Sequence, residues 1–199
     1  MNNLEKRLRK DHSRIKMVLD CLQYQLDCYD DEQCASPELN IILEAINYLQ
    51  AYPEKWHHPL EDVIFSELQK RNLDKEGVIS ALRIEHHRLE KQTEDVFKLF
   101  YSLANDCVVP VTLLKAKTQS LIDEQRRHMD TENIHVYPLM NEHFDDKDWE
   151  KIAQSVGDVH DPLFGSILRE DFADLYQYIL DIDSGRRYVE SSSSVSARF

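Results

Sequence analysis

The sequence predicts an all-α protein, an up-down-up-down antiparallel four-helix bundle with a short helical C-terminal extension. Three observations predict this fold. The 199 residues are 42% hydrophobic and 31% charged, as is typical of a mostly helical soluble chain. Only four residues are Gly, which leaves little room for the turns of an all-β sandwich or barrel. Apolar residues recur every three to four positions along four long segments, which is the period of an amphipathic helix.

The first two helices are predicted from this spacing. A first helix spans Asn3 to Glu32 and carries leucines and isoleucine on one side. A second spans Ser36 to Arg71, because Ser followed by Pro is a typical N-cap and first-turn pair. Pro53 and Pro59 interrupt this second helix and predict a kink or a brief break.

The third and fourth helices are predicted over Asp74 to Ala104 and Pro110 to Phe144. The connections between the four helices are short, and short connections make consecutive helices pack antiparallel. We therefore expect residues 1–145 to form the bundle.

A weaker pattern follows the bundle. Lys147 to Val156 and Leu168 to Leu180 each predict a short helix. We expect residues 146–182 to form a C-terminal cap packed on the bundle and not an independent domain. The polar residues 183–199 predict a mobile tail.

Charge excludes several classes of partner. The chain has 24 Lys and Arg against 37 Asp and Glu, a formal net charge of −13. Phosphate backbones and anionic lipid surfaces repel such a protein, so neither nucleic acid nor a membrane is an expected partner. The four cysteines lack CxxC spacing and are too sparse for a disulfide scaffold. A charged N-terminus without an apolar signal segment makes the cytoplasm the expected location.

Ligand-type side chains interrupt the apolar faces of all four helices. Since each residue of an α-helix advances about 100°, every side chain can be placed relative to its apolar stripe. Six fall near the centre or the edge of a stripe, namely His12, His57, Glu61, His86, His128 and Glu132. Their neighbours His58 and His87 lie about 120° and about 160° from the stripe centre, so we expect both to face solvent.

The six inward side chains also agree in height. His12 and His57 each lie about 20 residues from the first turn, and His86 and His128 about 20 residues from the third. Glu61 and His86 each lie about 11 to 12 residues from the second turn. In an antiparallel bundle, equal distances from a shared turn mean equal heights along the axis. The six side chains are therefore expected in one layer of the core.

This layer predicts a metal site. A single inward histidine is more often a satisfied core residue, and a single HxxxE pair is more often a surface pair. Several buried charges in one layer cost on the order of several kcal/mol each unless a cation compensates them. The two HxxxE pairs, His57/Glu61 and His128/Glu132, predict two metal ions with the glutamates bridging and the four histidines as terminal ligands. Ligation without thiolate favours iron or manganese over structural zinc.

Four motifs occur in a fixed order: Asp-His at 11–12, His-His-Pro-Leu-Glu-Asp at 57–62, Glu-His-His at 85–87, and His-Met-Asp-Thr-Glu at 128–132 followed by Tyr-Pro-Leu at 137–139. Together they resemble the hemerythrin-like, HHE cation-binding domain, over about Leu4 to Phe144. The resemblance implies two non-haem iron ions, bridged by an oxo or hydroxo group when oxidised, with manganese or zinc as substitutes. It also implies O₂ or NO as the small ligand.

One position departs from the oxygen-carrying members of that family, which have a second histidine one turn after the first on helix three. This chain has Glu90 there, about 100° from the stripe centre. Either Glu90 turns inward as a ligand or one iron keeps an open or water-filled position. Two further candidates are His58, if the proline-distorted turn rotates it inward, and His135, which could hold a carboxylate or line the access path.

The resulting hypothesis is a di-iron protein that binds O₂ or NO and serves in sensing, protection or iron handling. A carboxylate in place of a histidine favours the ferric state, which argues against simple O₂ carriage. One alternative is a di-iron oxidase or peroxidase-like enzyme acting on a small substrate, although no catalytic triad or phosphate loop occurs in the sequence. Another is an iron-responsive interaction module that contacts a protein partner through the C-terminal extension.

Overall fold

The computed structural model describes residues 2–31, 34, 36–74, 76–157 and 160–183, and within these ranges every regular element is helical. The all-α prediction is confirmed. The α-helices are α1 (Asn3–Asp27), α2 (Leu39–Ala51), α3 (His58–Lys70), α4 (Val78–Ala104), α5 (Val111–Thr131), α6 (Tyr137–His143), α7 (Asp146–Ser155) and α8 (Ala173–Asp183). A 3₁₀ turn, Glu170–Phe172, precedes α8.

The four long helical segments pack side by side. Helix α1 contacts α2 and α5, and α4 contacts the same two helices from the other side. Each segment therefore has two neighbours, as in a helix bundle. The up-down-up-down order of the helices stays a prediction.

Each of the two segments with an HxxxE pair contains a π-helical turn. Pro53–His57 joins α2 to α3, and Glu132–Val136 joins α5 to α6. In the first turn the backbone N–H of His57 donates to the carbonyl of Tyr52 at 3.4 Å, which is the i to i+5 spacing of a π-helix. Such a turn adds one residue, or about 100° of rotation, to the helix. The expected kink or break at Pro53 is therefore a widened turn in a continuous helix.

Two helix starts differ from the prediction. Helix α2 begins at Leu39, because the backbone N–H of Glu38 donates to Gln25 Oε1 of α1 at 2.7 Å and Glu38 is extended. The Ser36–Pro37 N-cap prediction is therefore wrong. Helix α4 begins at Val78 and not at Asp74, since the Asp74 carboxylate accepts hydrogen bonds from two backbone N–H groups in the first turn of α4.

The first helix also ends earlier than predicted. Helix α1 stops at Asp27 and not at Glu32, and the chain turns there. Cys28 and Cys34 form a disulfide directly after it. This single bond closes a short loop, while Cys21 and Cys107 are free.

A polar layer separates two apolar clusters of the core. One cluster is built mainly from α1, α2, α4, α5 and α8, and the other mainly from α3, α6, α7 and the first turns of α4. On α1, His12 lies between Leu8 of the second cluster and Ile15 of the first. The predicted histidine layer thus lies in the interior, with apolar packing on both sides.

The C-terminal segment packs on the bundle. Helix α7 contacts α3, and α8 contacts α1 and α2 with three buried side chains, Leu175, Tyr178 and Ile179. The division into a bundle of residues 1–145 and a cap of residues 146–182 stays a prediction. The predicted tail, residues 183–199, lies outside the described residues apart from Asp183, the last residue of α8. No helix among the described residues combines the length and the hydropathy needed to cross a bilayer.

Candidate metal centre

The structure brings all six sequence-predicted ligands into one buried cluster and adds a seventh side chain, His58. Each of the seven is 6% exposed or less. Their ligand atoms fall into three overlapping groups within 4.8 Å: His12, His57, Glu61 and Glu132; Glu61, His86, His128 and Glu132; and His58, His86 and His128. We name the first group half-site one, with the histidines His12 and His57. The other two groups together are half-site two, with the histidines His58, His86 and His128. Both glutamates belong to both half-sites.

Glu61 directs one oxygen to each half-site. Its Oε1 lies 3.4 Å from His57 Nε2 and 3.5 Å from His12 Nε2. Its Oε2 lies 3.6 Å from His86 Nε2, across the cluster. The HxxxE spacing places Glu61 one turn from His57, so its carboxylate can reach the opposite helix.

Glu132 repeats this arrangement from the other side of the cluster. Its Oε2 lies 3.2 Å from His12 Nε2 in half-site one. Its Oε1 lies 3.1 Å from His128 Nε2 and 3.6 Å from His86 Nε2 in half-site two. Glu61 and Glu132 thus each place one oxygen on either side of the cluster.

Four ligand histidines have an oxygen near the other ring nitrogen, Nδ1. The pairs are Asp11 Oδ2 with His57 at 3.5 Å, Asp62 Oδ1 with His86 at 3.1 Å, Glu85 Oε2 with His128 at 3.1 Å, and Asn133 Oδ1 with His12 at 3.3 Å. Each oxygen comes from the residue next to a ligand on the neighbouring helical segment, so the four pairs form a closed ring around the bundle. We name these four residues the orienting ring. The contacts of His12, His86 and His128 are hydrogen bonds, which hold Nδ1 and direct Nε2 towards the cluster, whereas Asp11 only approaches His57 Nδ1.

His58 corrects the sequence analysis, because the expectation that it faces solvent is wrong. It is 3% exposed, and its ring lies 4.3 Å from the ring of His86 and 5.7 Å from that of His128. The helical wheel fails here because it assumes one phase across Pro53–His57, where the π-helical turn adds a residue. Burial, reinforced by the neighbouring imidazoles, lowers the pKa of His58 well below its ordinary value, so this ring is neutral.

The two other additional candidates are not brought to the cluster. Glu90 points to the surface, where its carboxylate lies 3.6 Å from Nδ1 of the exposed His87. Helix α4 is an uninterrupted α-helix, so Glu90 keeps the outward phase that the wheel gives it. His135 is exposed and lines a surface pocket with Ile79 and Leu139. Of the three additional candidates, only His58 lies in the cluster.

Tyr137, which the sequence analysis names only within the Tyr-Pro-Leu motif, lies at the cluster. It is fully buried, its hydroxyl donates to Glu61 Oε1 at 3.1 Å, and its oxygen lies 3.0 Å from His12 Nε2. Burial, and then the charges of Glu61 and Glu132, raise the pKa of Tyr137 well above its ordinary value. Tyr137 follows the second π-helical turn as His58 follows the first.

Protonated imidazoles and carboxylates compensate one another in this cluster. Burial alone would lower the pKa of His12, His86 and His128, but the facing carboxylates raise these values to about 10, about 11 and about 9. Conversely, the histidines outweigh burial and hold the pKa of Glu132 well below its ordinary value. Positive charge is therefore strongly favoured between the two glutamates.

The donor set fits metal cations. Several buried nitrogens and oxygens approach one another within 3.6 Å without the alignment of a hydrogen bond: Nε2 of His57, His86 and His128, Oε2 of Glu61, and both carboxylate oxygens of Glu132. Buried polar atoms without partners are rare in proteins, and these six lie together in one cluster. Imidazole nitrogens and carboxylate oxygens are ligands of iron, manganese and zinc.

Comparison with known protein families agrees with this geometry. The model of the hemerythrin HHE cation binding domain matches residues 3–140. This range contains all seven ligand-type side chains and the orienting ring, whereas α7 and α8 lie outside it. No curated protein and no solved structure matches the chain.

Proposed function

Because the chain belongs to the hemerythrin HHE cation-binding domain family, we propose that it holds two iron ions in this centre and binds O₂ or NO there, in sensing or protection. One observation carries the proposal. Each of the two buried glutamates, Glu61 and Glu132, presents one oxygen to each half-site. A single cation would need only the glutamate oxygens that face one half-site. Two cations would use the oxygens on both sides and so share both carboxylates.

The two half-sites differ in their number of histidines. Half-site one has His12 and His57, whereas half-site two has His58, His86 and His128. Two irons of equal coordination number would therefore leave one more position open in half-site one. When bound, iron supplies electrons and a coordination position for a diatomic molecule at that place.

Tyr137 supplies a proton donor beside the open position. Its hydroxyl oxygen lies 3.0 Å from His12 Nε2, in half-site one. Because its pKa is raised well above its ordinary value, the phenol is protonated at neutral pH, and turning its O–H away from Glu61 Oε1 would let it donate to negative charge on a bound molecule. The buried ring, stacked on His12, also limits the volume available to a ligand.

The sequence argument against reversible O₂ carriage depends on the missing histidine of helix three. That argument assumes a carboxylate in place of this histidine. His58 instead supplies a third histidine from another helix, so the centre is less rich in carboxylates than the argument assumes. A role in sensing or protection is instead supported by contacts outside the family-matched residues, where the C-terminal segment is tied to half-site one.

Gas binding by the iron-loaded protein tests this proposal. The protein is loaded with ferrous iron without oxygen, mixed with NO or O₂, and followed by visible absorption, with the iron-free protein as the control. We expect both gases to change the spectrum of the loaded protein only. An iron-loaded protein that responds to neither gas would overturn ligand binding and favour the iron-responsive interaction module, while sustained oxidation of an added substrate would favour the oxidase.

A further inference from the structure

A buried carboxylate in the C-terminal segment lies at one end of a polar chain that leads to the metal centre. Asp161 is 4% exposed and accepts hydrogen bonds from the backbone N–H groups of Leu163 and Phe164, both at 2.9 Å. The backbone N–H of Gly165 donates to the Asp161 carbonyl at 2.9 Å, and a Cβ at Gly165 would lie 2.2 Å from that oxygen. This tight turn therefore requires glycine and fixes the Asp161 side chain in place.

Arg14 of α1 joins this turn to the bundle. Its NH1 lies 3.1 Å from Asp161 Oδ2, and its NH2 donates to the carbonyl of Phe164. Tyr48 of α2 donates to the same Asp161 oxygen at 3.3 Å. Two helices of the bundle thus hold one carboxylate that belongs to the segment outside residues 3–140.

The chain continues to the orienting ring through Asp11. The NH1 group of Arg14 lies 4.0 Å from Asp11 Oδ1, and Tyr52 donates to both oxygens of Asp11 at 3.1 Å. Asp11 Oδ2 in turn lies 3.5 Å from His57 Nδ1 in half-site one. Asp161 is therefore connected to His57 through two intermediate side chains, Arg14 and Asp11.

Arg14 lies between two buried carboxylates, Asp161 and Asp11, and is closer to Asp161. While Asp161 and the Phe164 carbonyl hold the guanidinium, it stays 4.0 Å from Asp11, beyond hydrogen-bond distance. Without the Asp161 carboxylate, Arg14 is free to pair fully with Asp11. Asp11 is then drawn away from His57 Nδ1, which its Oδ2 approaches to 3.5 Å, and the His57 ring is positioned less firmly for metal binding.

We propose that Asp161 is a positioning residue of the metal centre, through which docking of residues 160–183 and metal occupancy of half-site one stabilise each other. The inference rests on the proposed iron binding. Such coupling is reciprocal, since a segment that strengthens metal binding is itself held more tightly when metal is bound.

The test compares Asp161→Asn with Glu44→Gln in the full chain. Glu44 of α2 accepts a hydrogen bond from the backbone N–H of Leu175 at 2.9 Å, so it also ties the segment down but has no place in the chain to His57. We expect Asp161→Asn to weaken the weaker of the two iron-binding steps about tenfold. We expect Glu44→Gln to leave both steps unchanged.

Hydrogen exchange of residues 160–183 supplies a readout that a purely structural role would not change. In the natural chain, exchange there should be slower with iron than with a chelator. This difference should disappear in Asp161→Asn and persist in Glu44→Gln. Arg14→Gln should act like Asp161→Asn. The double variant should lose no further iron affinity, because both residues belong to the same series of polar contacts that leads to His57.

The outcomes are distinct. Iron binding and iron-dependent exchange that are unchanged in Asp161→Asn would overturn the inference. Equal loss of affinity in Asp161→Asn and Glu44→Gln would also overturn it, since general loosening would then suffice. Should Asp161→Asn fail to fold, the exchange of the natural chain with and without iron decides alone. A natural chain that binds no iron would instead contradict the proposed function.

Discussion

The imidazole of His58 stacks on that of His86, with ring centroids 4.3 Å apart and ring planes 13° apart. This contact joins two helical segments within half-site two and gives that half-site its third histidine. It also reverses the effect expected from a substitution at this position, because the helical wheel predicts that His58 lies outside the centre.

The first prediction compares two histidines that each follow a ligand histidine in the sequence. His58→Ala should remove one iron or lower its affinity at least tenfold, because half-site two loses a ligand. His87→Ala is the matched control and should leave both irons in place, since this side chain is 82% exposed. Iron analysis of the two variants measures the difference, and equal iron contents would remove His58 from the ligand set.

The second prediction concerns the orienting ring. Asp62→Asn should lower iron affinity by about 10- to 100-fold, because the Asp62 carboxylate fixes Nδ1 of His86 at 3.1 Å. Glu90→Gln is a suitable control on the neighbouring helix, since its charge lies at the surface. Competition with a ferrous chelator gives both affinities. Unchanged binding by Asp62→Asn would mean that ring orientation contributes little here.

The third prediction separates gas binding from iron binding. Tyr137→Phe retains the ring that stacks on His12 but removes the hydroxyl donor. Iron content should stay unchanged, whereas the affinity for NO or O₂ should fall about tenfold, as expected for the loss of one buried hydrogen bond. Gas titrations of the loaded variant measure this. Loss of iron would show that Tyr137 supports the centre itself.

The fourth prediction is a dependence on pH. The folded-state pKa values of His12, His86 and His128, about 10, about 11 and about 9, exceed the ordinary value of 6.5. Their protonation therefore stabilises the metal-free fold fully below pH 6.5, and this stabilisation is lost as the pH rises through about 9 to about 11.

Iron has the opposite dependence, because it binds only deprotonated imidazole. We expect iron to raise the melting temperature, and to raise it more at about pH 8.5 than at about pH 6. Anaerobic melting curves with and without a ferrous chelator check this. An increment that is equal at both pH values would indicate that binding displaces no protons from these histidines.

The sequence predicts the all-α fold class and the histidine layer because period and spacing are sufficient for uninterrupted α-helices. His12 and His86 lie on such helices, α1 and α4, and the wheel places them inward as the structure does. His58 and Tyr137 directly follow π-helical turns, where one added residue changes the helix phase that the wheel assumes. Pro53 indicates an irregularity in the helix, but the sequence around it does not distinguish a kink from a π-helical turn.

The tie between the C-terminal segment and half-site one also lies beyond the reach of the sequence. Arg14 and Asp161 are separated by 147 positions, and neither interrupts an apolar stripe. Their contact depends on the turn at Gly165 and on the way α8 packs against α1 and α2. Such contacts follow from tertiary packing, which periodicity does not encode.

The number of iron ions per chain tests the central claim most directly. The protein is loaded with ferrous iron without oxygen, passed through a desalting column, and analysed for metal and protein. Because Glu61 and Glu132 each present oxygens to both half-sites, we expect about two irons per chain. A single tightly bound zinc would contradict the di-iron centre. So would an iron content that stays at one per chain when ferrous iron is in excess.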